Sequence, residues 1–295
     1  MNVAAIDIGT NTMRLLIVDR SGMEIHRQVI VTSLGMGVDA TGRFAADRVS
    51  ETLDVMEGFG RLMRRSQVAS AAAVATSASR DAENGAEFIE AAAGRLGFAP
   101  EVIDGDREAS LAYAGATEGR EVGRSLVIDI GGGSTEFTLG REAPTEITSI
   151  DMGSVRLTDR CLGSRPAGSD ALANAVDVVA AAFASVPQGD EADVIGVGGT
   201  FTSLAAISLG LDVYERSKVD GALLTLRMVD ATIERLAGMS IAETSRIPSL
   251  DPKRAPVILA GAVVASGAFR AVGADELTVS ESDLLDALAA ELLRR

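Results

Sequence analysis

The hexapeptide Asp7-Ile-Gly-Thr-Asn-Thr12 returns in altered form as Asp129-Ile-Gly-Gly-Gly-Ser134, and this recurrence limits the architecture more than any other feature of the 295-residue chain. With Asp7 set beneath Asp129, Ile6-Asp7-Ile8-Gly9 aligns with Ile128-Asp129-Ile130-Gly131. The same register pairs Thr12 with Ser134, Leu15 with Phe137 and Ile17 with Leu139. Self-similarity held over a strand, a turn and a second strand points to internal duplication, and so to two halves of like fold. Length agrees, since a chain of this size outgrows one small core.

The intervening pattern fills in the rest. Val3–Ile8 and Thr12–Asp19 read as strands around the turn Gly9–Asn11, with a third strand over Met23–Thr32. Val49, Leu53, Met56 and Met63 recur at helical spacing. Val68–Ala75 reads as a buried strand, Glu87–Leu96 as a helix, and another helix starts near Arg107. In the second half a strand at Val194–Val197 runs into Gly198-Gly199-Thr200. Ser280-Glu-Ser-Asp283 reads as a capping box ahead of the apolar run Leu284–Leu293. The expected class is α/β with two domains, 1–124 and 125–282, their boundary falling within 119–124. The terminal helix, 283–295, is expected to pack back on the first.

Composition removes several chemistries. One cysteine, Cys161, excludes an internal disulfide and a multi-thiolate zinc site and fits a reducing, cytoplasmic setting. One histidine, His26, excludes a His-metal cluster or a two-histidine relay. His26 lies in a strand-like run and reads as a surface strand residue. A net charge of −15 argues against nucleic acid as partner. The longest uncharged stretch, Ala255–Phe269, is too short for a membrane span, and no signal peptide precedes Val3.

What remains favours phosphate. Gly9, Gly131, Gly132 and Gly133 let backbone N–H groups approach phosphate oxygens, and the hydroxyls of Thr10, Thr12, Ser134 and Thr135 add donors. Gly198, Gly199 and Thr200 form a third such turn, and Asn11 can reach the same ligand. Asp7 and Asp129 cannot face phosphate without a cation between them; Mg²⁺, which binds through one or two carboxylates plus phosphate oxygens, matches this set. Arg14 and Glu136 hold equivalent positions with opposite charge. Either they pair across the cleft, or Arg14 faces phosphate while Glu136 joins Asp129 around the metal.

The segments Ala5–Asp19, Ala75–Gly85, Glu101–Gly115, Val127–Phe137, Val194–Ile207 and Lys253–Ala262 resemble the exopolyphosphatase and guanosine pentaphosphate phosphatase family, within the actin–sugar kinase–heat-shock-70 superfamily. The resemblance runs to about Ser282. It implies two ribonuclease H-like, actin-like ATPase domains with the active site in the cleft between them. Larger members carry a further helical domain; this chain resembles the short two-domain form. The family's general base is a glutamate in Ser-Gly-x-Glu-Glu-Ala. Here the segment is Asp104-Gly105-Asp106-Arg107-Glu108-Ala109, which carries the role to Glu108 and replaces the first acid by Arg107. In the first turn of a helix, Glu108 is expected to stay ionised. The resemblance makes Arg80 a phosphate ligand.

The expected activity is Mg²⁺-dependent hydrolysis of terminal phosphoanhydride bonds of inorganic polyphosphate, or of guanosine penta- or tetraphosphate. A superfamily kinase and a non-catalytic alarmone or polyphosphate sensor are the competing readings. A homodimer is the expected assembly.

Overall fold

The computed structural model describes residues 1–120, 123–189 and 191–294. The boundary expected within 119–124 lies in part outside the described residues, as does residue 295 of the terminal helix.

Two sheets form among these residues. The first contains β1 (Asn2–Ile8), β2 (Thr12–Val18), β3 (Glu24–Val31), β4 (Val68–Ala75) and β5 (Glu101–Val102), in the order β3-β2-β1-β4-β5. The second contains β6 (Ser125–Ile130), β7 (Thr135–Gly140), β8 (Pro144–Ile150), β9 (Asp193–Val197), β10 (Leu223–Thr225) and β11 (Glu276–Val279), in the order β8-β7-β6-β9-β11-β10. In each, three antiparallel strands are joined to a parallel pair, and only β10 lacks a counterpart. The duplication read from two hexapeptides therefore extends to strand order.

In the first half α1 (Val38–Thr41), α2 (Ala46–Arg65), α3 (Ser77–Asp81), α4 (Gly85–Leu96) and α5 (Gly105–Thr117) connect the strands. The second half adds α6 (Ser154–Leu157), α7 (Ser169–Ala182), α8 (Gly198–Ser208), α9 (Arg216–Val219), α10 (Leu226–Ala237), α11 (Ile241–Thr244), α12 (Ile258–Val272) and α13 (Leu284–Arg294). None of the described helices is long and apolar enough to cross a membrane.

Successive residues of a strand face opposite sides, and β1 uses both. Ala4, Ile6 and Ile8 pack with Met56, Phe59 and Phe88 of α2 and α4. Val3 and Ala5 pack on the other side with Leu111 of α5 and with Leu284, Leu285 and Leu288 of α13. In β6, Leu126, Ile128 and Ile130 join the large core of the second half, while Val127 meets Ala112, Tyr113 and Ala116 of α5. Helix α5 is thus clamped between the sheets, touching both. Fully buried on both faces, β1 and β6 read as near-continuous apolar runs.

Helix α13 lies against the first sheet although it follows β11 of the second. Its cap differs from the expected box. Asp283 Oδ1 accepts from Leu285 N at 3.0 Å, and Asp283 N donates to Asp286 Oδ2 at 3.2 Å. Ser280 Oγ instead donates to the Ser282 carbonyl at 2.9 Å. The capping residue is Asp283, three residues beyond the Ser280 start, because the helix begins only at Leu284.

Candidate active site

Both hairpins close by the same turn: Gly9 N donates to the Thr12 carbonyl at 3.0 Å, and Gly131 N to the Ser134 carbonyl at 3.0 Å. Strand register then sets Asp7 opposite Arg14 and Asp129 opposite Glu136. By alternation Asp7 shares the face of Val3 and Ala5, and Asp129 that of Val127. Those faces meet α5. Glu108, in the first turn of α5, is brought to the same place. Counting by twos along two strands accounts for three converging carboxylates.

The turns themselves meet. A methyl group on Gly132 would come within 2.8 Å of Thr10 Cβ and 3.1 Å of Asn11 N, so a side chain there would force the loops apart. Gly198 opens α8 with φ +86°, and a Cβ at that position would lie 2.5 Å from Asp129 Oδ1. Thr200 Oγ1 donates to the Ile130 carbonyl at 3.2 Å, tying this third turn to the end of β6. Together the turns wall a cleft of about 740 Å³ between the sheets.

Its charge is unevenly balanced. Arg14 Nε donates to Asp7 Oδ2 at 2.8 Å, and Nη1 pairs with Asp283. Burial opposes charge on Arg14, but Asp283, Asp7 and Asp129 outweigh it and hold the guanidinium's pKa well above its usual value. Burial still pushes the Asp7 carboxyl up against the pull of Arg14. Asp129 has no such partner: burial, then the neighbouring Asp283 charge, pushes it to about 8. Burial raises Glu108 to about 7, although Arg80 Nη1 donates to its Oε2 at 2.9 Å. The expectation that the helix dipole keeps Glu108 ionised is therefore corrected, because clamping α5 between two sheets removes water that a surface helix would keep. Burial also drives Glu136 well above its ordinary value, reinforced by Glu108 and Asp129.

Most of the expected residues line the cleft: Gly9, Thr10, Asn11, Thr12, Arg14 and Glu108, with Asp7, Asp129 and Gly131–Ser134, and with Gly198, Gly199 and Thr200. Three do not. Thr135 Oγ1 is spent on the Met152 carbonyl at 2.5 Å. Glu136 is covered by β8, where Ser149 Oγ donates to its Oε1 at 2.9 Å. Arg80 stands behind Glu108, its Nη1 shared with the Ile103 carbonyl at 2.7 Å. Arg14 reaches the cleft but does not pair with Glu136; Asp7 and Asp283 occupy it. Arg107 turns away, bonding Glu291 of α13 at 2.5 Å.

Among the cleft-wall residues that went unread in the sequence are Asp283 and Arg254. Asp283 had looked only like a helix cap. Arg254, within the matching segment Lys253–Ala262, lies against Gly199, where a Cβ would collide with its guanidinium. That guanidinium makes no hydrogen bond or ion pair among the described residues, and burial lowers its pKa. An arginine so placed suits an anionic ligand.

A cation fits this donor set. Asp7 Oδ1 is buried with no hydrogen-bond partner, and Asp129 is raised by burial and by the neighbouring Asp283 charge. No ready-made cage of three acidic, His or Cys ligands exists among the described residues. Mg²⁺ needs none, since it takes one or two carboxylates and completes its shell with water and phosphate. Asp129 and Asp7 would hold it; Glu136 does not reach the cleft.

A sequence model described as the Ppx/GppA phosphatase family matches residues 17–293. The chain is 37% identical to Exopolyphosphatase 2 of Mycobacterium tuberculosis, covering 98% of each. Among solved structures, an exopolyphosphatase-like protein superposes with TM-score 0.94 at 34% identity, covering 100% of this chain and 99% of the other. The Ppx/GppA family member from Aquifex aeolicus superposes with TM-score 0.81 at 32% identity, covering 100% and 98%.

Proposed function

This chain belongs to the Ppx/GppA phosphatase family, and we propose that it is an exopolyphosphatase, releasing orthophosphate from the end of inorganic polyphosphate. One observation carries the reading. Glu108 is 8% exposed on the cleft wall, raised to about 7 by burial, and held by Arg80. A carboxylate poised near neutrality is matched to taking a proton and releasing it again.

The terminal phosphoryl group lies against the amides of the two hairpin turns, with Arg254 facing the polymer. Glu108 accepts a proton from a water aligned with the phosphorus. A new P–O bond forms to that water oxygen as the bridging P–O bond breaks, and the electron pair leaves on the shortened polyphosphate. Arg80 keeps Glu108 aimed at the water. Bound Mg²⁺ supplies charge neutralisation for the phosphate oxygens. The amides turned toward the phosphoryl group stabilise charge gathering on its oxygens.

The deciding measurement is orthophosphate release from polyphosphates of defined length, with guanosine pentaphosphate and ATP in parallel. Glu108→Gln is expected to lower kcat by roughly 10²–10⁴-fold with little change in KM. Wild-type rates in that variant would rule out the mechanism. Binding of polyphosphate without turnover would indicate a sensor, and ATP consumption dependent on an added acceptor a kinase.

A further inference from the structure

Behind the second hairpin turn, away from the cleft, its carbonyls are all engaged. Ser154 N donates to the Gly131 carbonyl at 3.1 Å, and Val155 N and Arg156 N to that of Gly132 at 2.8 and 3.1 Å. The Gly133 carbonyl is taken by a side chain, Arg156 Nε, at 2.8 Å. In a trans peptide the N–H points away from its carbonyl. Holding three successive carbonyls at the back turns the amides of Gly132, Gly133 and Ser134 toward the cleft. The first two are fixed by backbone, the third only by Arg156.

The rest of that guanidinium spans the two halves. Nη1 donates to Asp39 Oδ1 of α1 at 2.8 Å, and Nη2 pairs with Asp81 at the end of α3. Arg80 is the preceding residue of that helix and holds Glu108. Arg156 is 13% exposed in its side chain, so its bond to Asp39 is largely shielded from water, while the Asp81 end stays more open. It therefore joins a phosphate-facing amide of one half to the element that aims the base in the other.

Resting on the phosphatase reading above, we propose that Arg156 is a positioning residue: it orients the Gly133–Ser134 peptide and holds α3 in register with it. Arg160 provides the internal control. It binds the same Asp39, at 2.7 and 2.8 Å, and so shares the bridge between halves, but it touches neither Gly133 nor Asp81.

The test compares Arg156→Gln, Arg156→Lys and Arg160→Gln. Orthophosphate release from tripolyphosphate is measured with Mg²⁺, and tripolyphosphate binding is followed by calorimetry. Arg156→Gln is expected to lower kcat on the order of 10²-fold. It should also weaken tripolyphosphate binding about tenfold. Arg156→Lys, able to reach one acceptor but not three, should recover part of kcat. Arg160→Gln should stay within about threefold of wild type, as for a half-exposed ion pair. If Arg156→Gln does not fold, Asp81→Asn carries the test, with an expected loss in kcat of about tenfold.

Equal losses in Arg156→Gln and Arg160→Gln would reduce the network to a tie between halves and overturn the proposal. So would wild-type kcat and binding in Arg156→Gln. Should the wild type bind tripolyphosphate without hydrolysing it, and bind it more tightly than Arg156→Gln, the phosphatase reading fails while the positioning role stands.

Discussion

The two hairpins share a turn, a register and a facing helix, yet they resolve their charge in opposite ways. In the first, Asp7 sits across from Arg14 and the strand pair neutralises itself. In the second, Asp129 sits across from Glu136, two buried acids directly opposite each other. Like charges directly opposite are unfavourable; burial raises both carboxyls, and the Asp129 charge adds to the rise at Glu136. Duplication thus left one half carrying its own counter-ion and the other needing one from outside. The incomplete half is the one whose cleft carboxylate, Asp129, makes no ion pair among the described residues.

The largest test of this contrast is Arg14→Gln, which strands Asp7 and Asp283 as unpaired buried carboxylates. Breaking such a pair is expected to cost about 3–5 kcal/mol, read by urea unfolding at pH 7. A loss under about 1 kcal/mol would mean that the first hairpin is not self-neutralised. Next, Asp129→Asn should lower kcat by roughly 10²–10³-fold and Asp7→Asn by less, because Arg14 already occupies one Asp7 oxygen. The reverse ranking would move the cation to the first hairpin.

A smaller effect concerns pH. Asp129 is raised from 3.8 to about 8, and Glu108 from 4.5 to about 7, so the folded state keeps protons that the unfolded chain releases. Stability without metal must then fall as pH rises between those limits, being fully present below about 4. Thermal unfolding at pH 5 and pH 8, with and without Mg²⁺, should show a lower midpoint at pH 8 that Mg²⁺ recovers in part. Independence from both pH and Mg²⁺ would contradict the unbalanced second hairpin. The smallest change is expected from Glu136→Gln. Burial already raises its carboxyl well above the ordinary value and Ser149 remains as partner, so a neutral amide there should shift stability by less than about 0.5 kcal/mol. Side by side, Arg14→Gln and Glu136→Gln place the largest and smallest effects at equivalent positions.

How much of this was legible follows the distance over which each feature is encoded. The hairpin register, from Asp7 opposite Arg14 to Asp129 opposite Glu136, was present in two aligned hexapeptides and their flanking alternation. Glu108 could be picked out only through the family resemblance that its segment, Asp104–Ala109, carries in altered form. The second partner of Arg14 could not, since Asp283 lies 269 residues away and reads locally as a cap. Nor could the state of Glu108: a helix start suggests a freely ionised acid, and only the two sheets pressing on α5 raise it to about 7. Arg80 and Glu136 show a related limit. Sequence placed them near the site, while side-chain direction and the neighbouring β8 decided that neither would face the cleft. Arg254 had a legible segment but no local sign of its unpaired state.

Helix α13 has a kinetic consequence. Leu284, Leu285, Leu288 and Leu292 complete an apolar layer that begins with Val3 and Ala5, so that face of the first sheet stays incomplete until residues about 280 positions later have been made. Contacts of such sequence separation are slow to form. The first half, though translated earliest, is expected to mature last, exposing one greasy face to chaperones while the second half already folds. Asp283, which caps that late helix, is expected to reach Arg14 only as the helix docks, so that one event would complete both the sheet and the cleft wall.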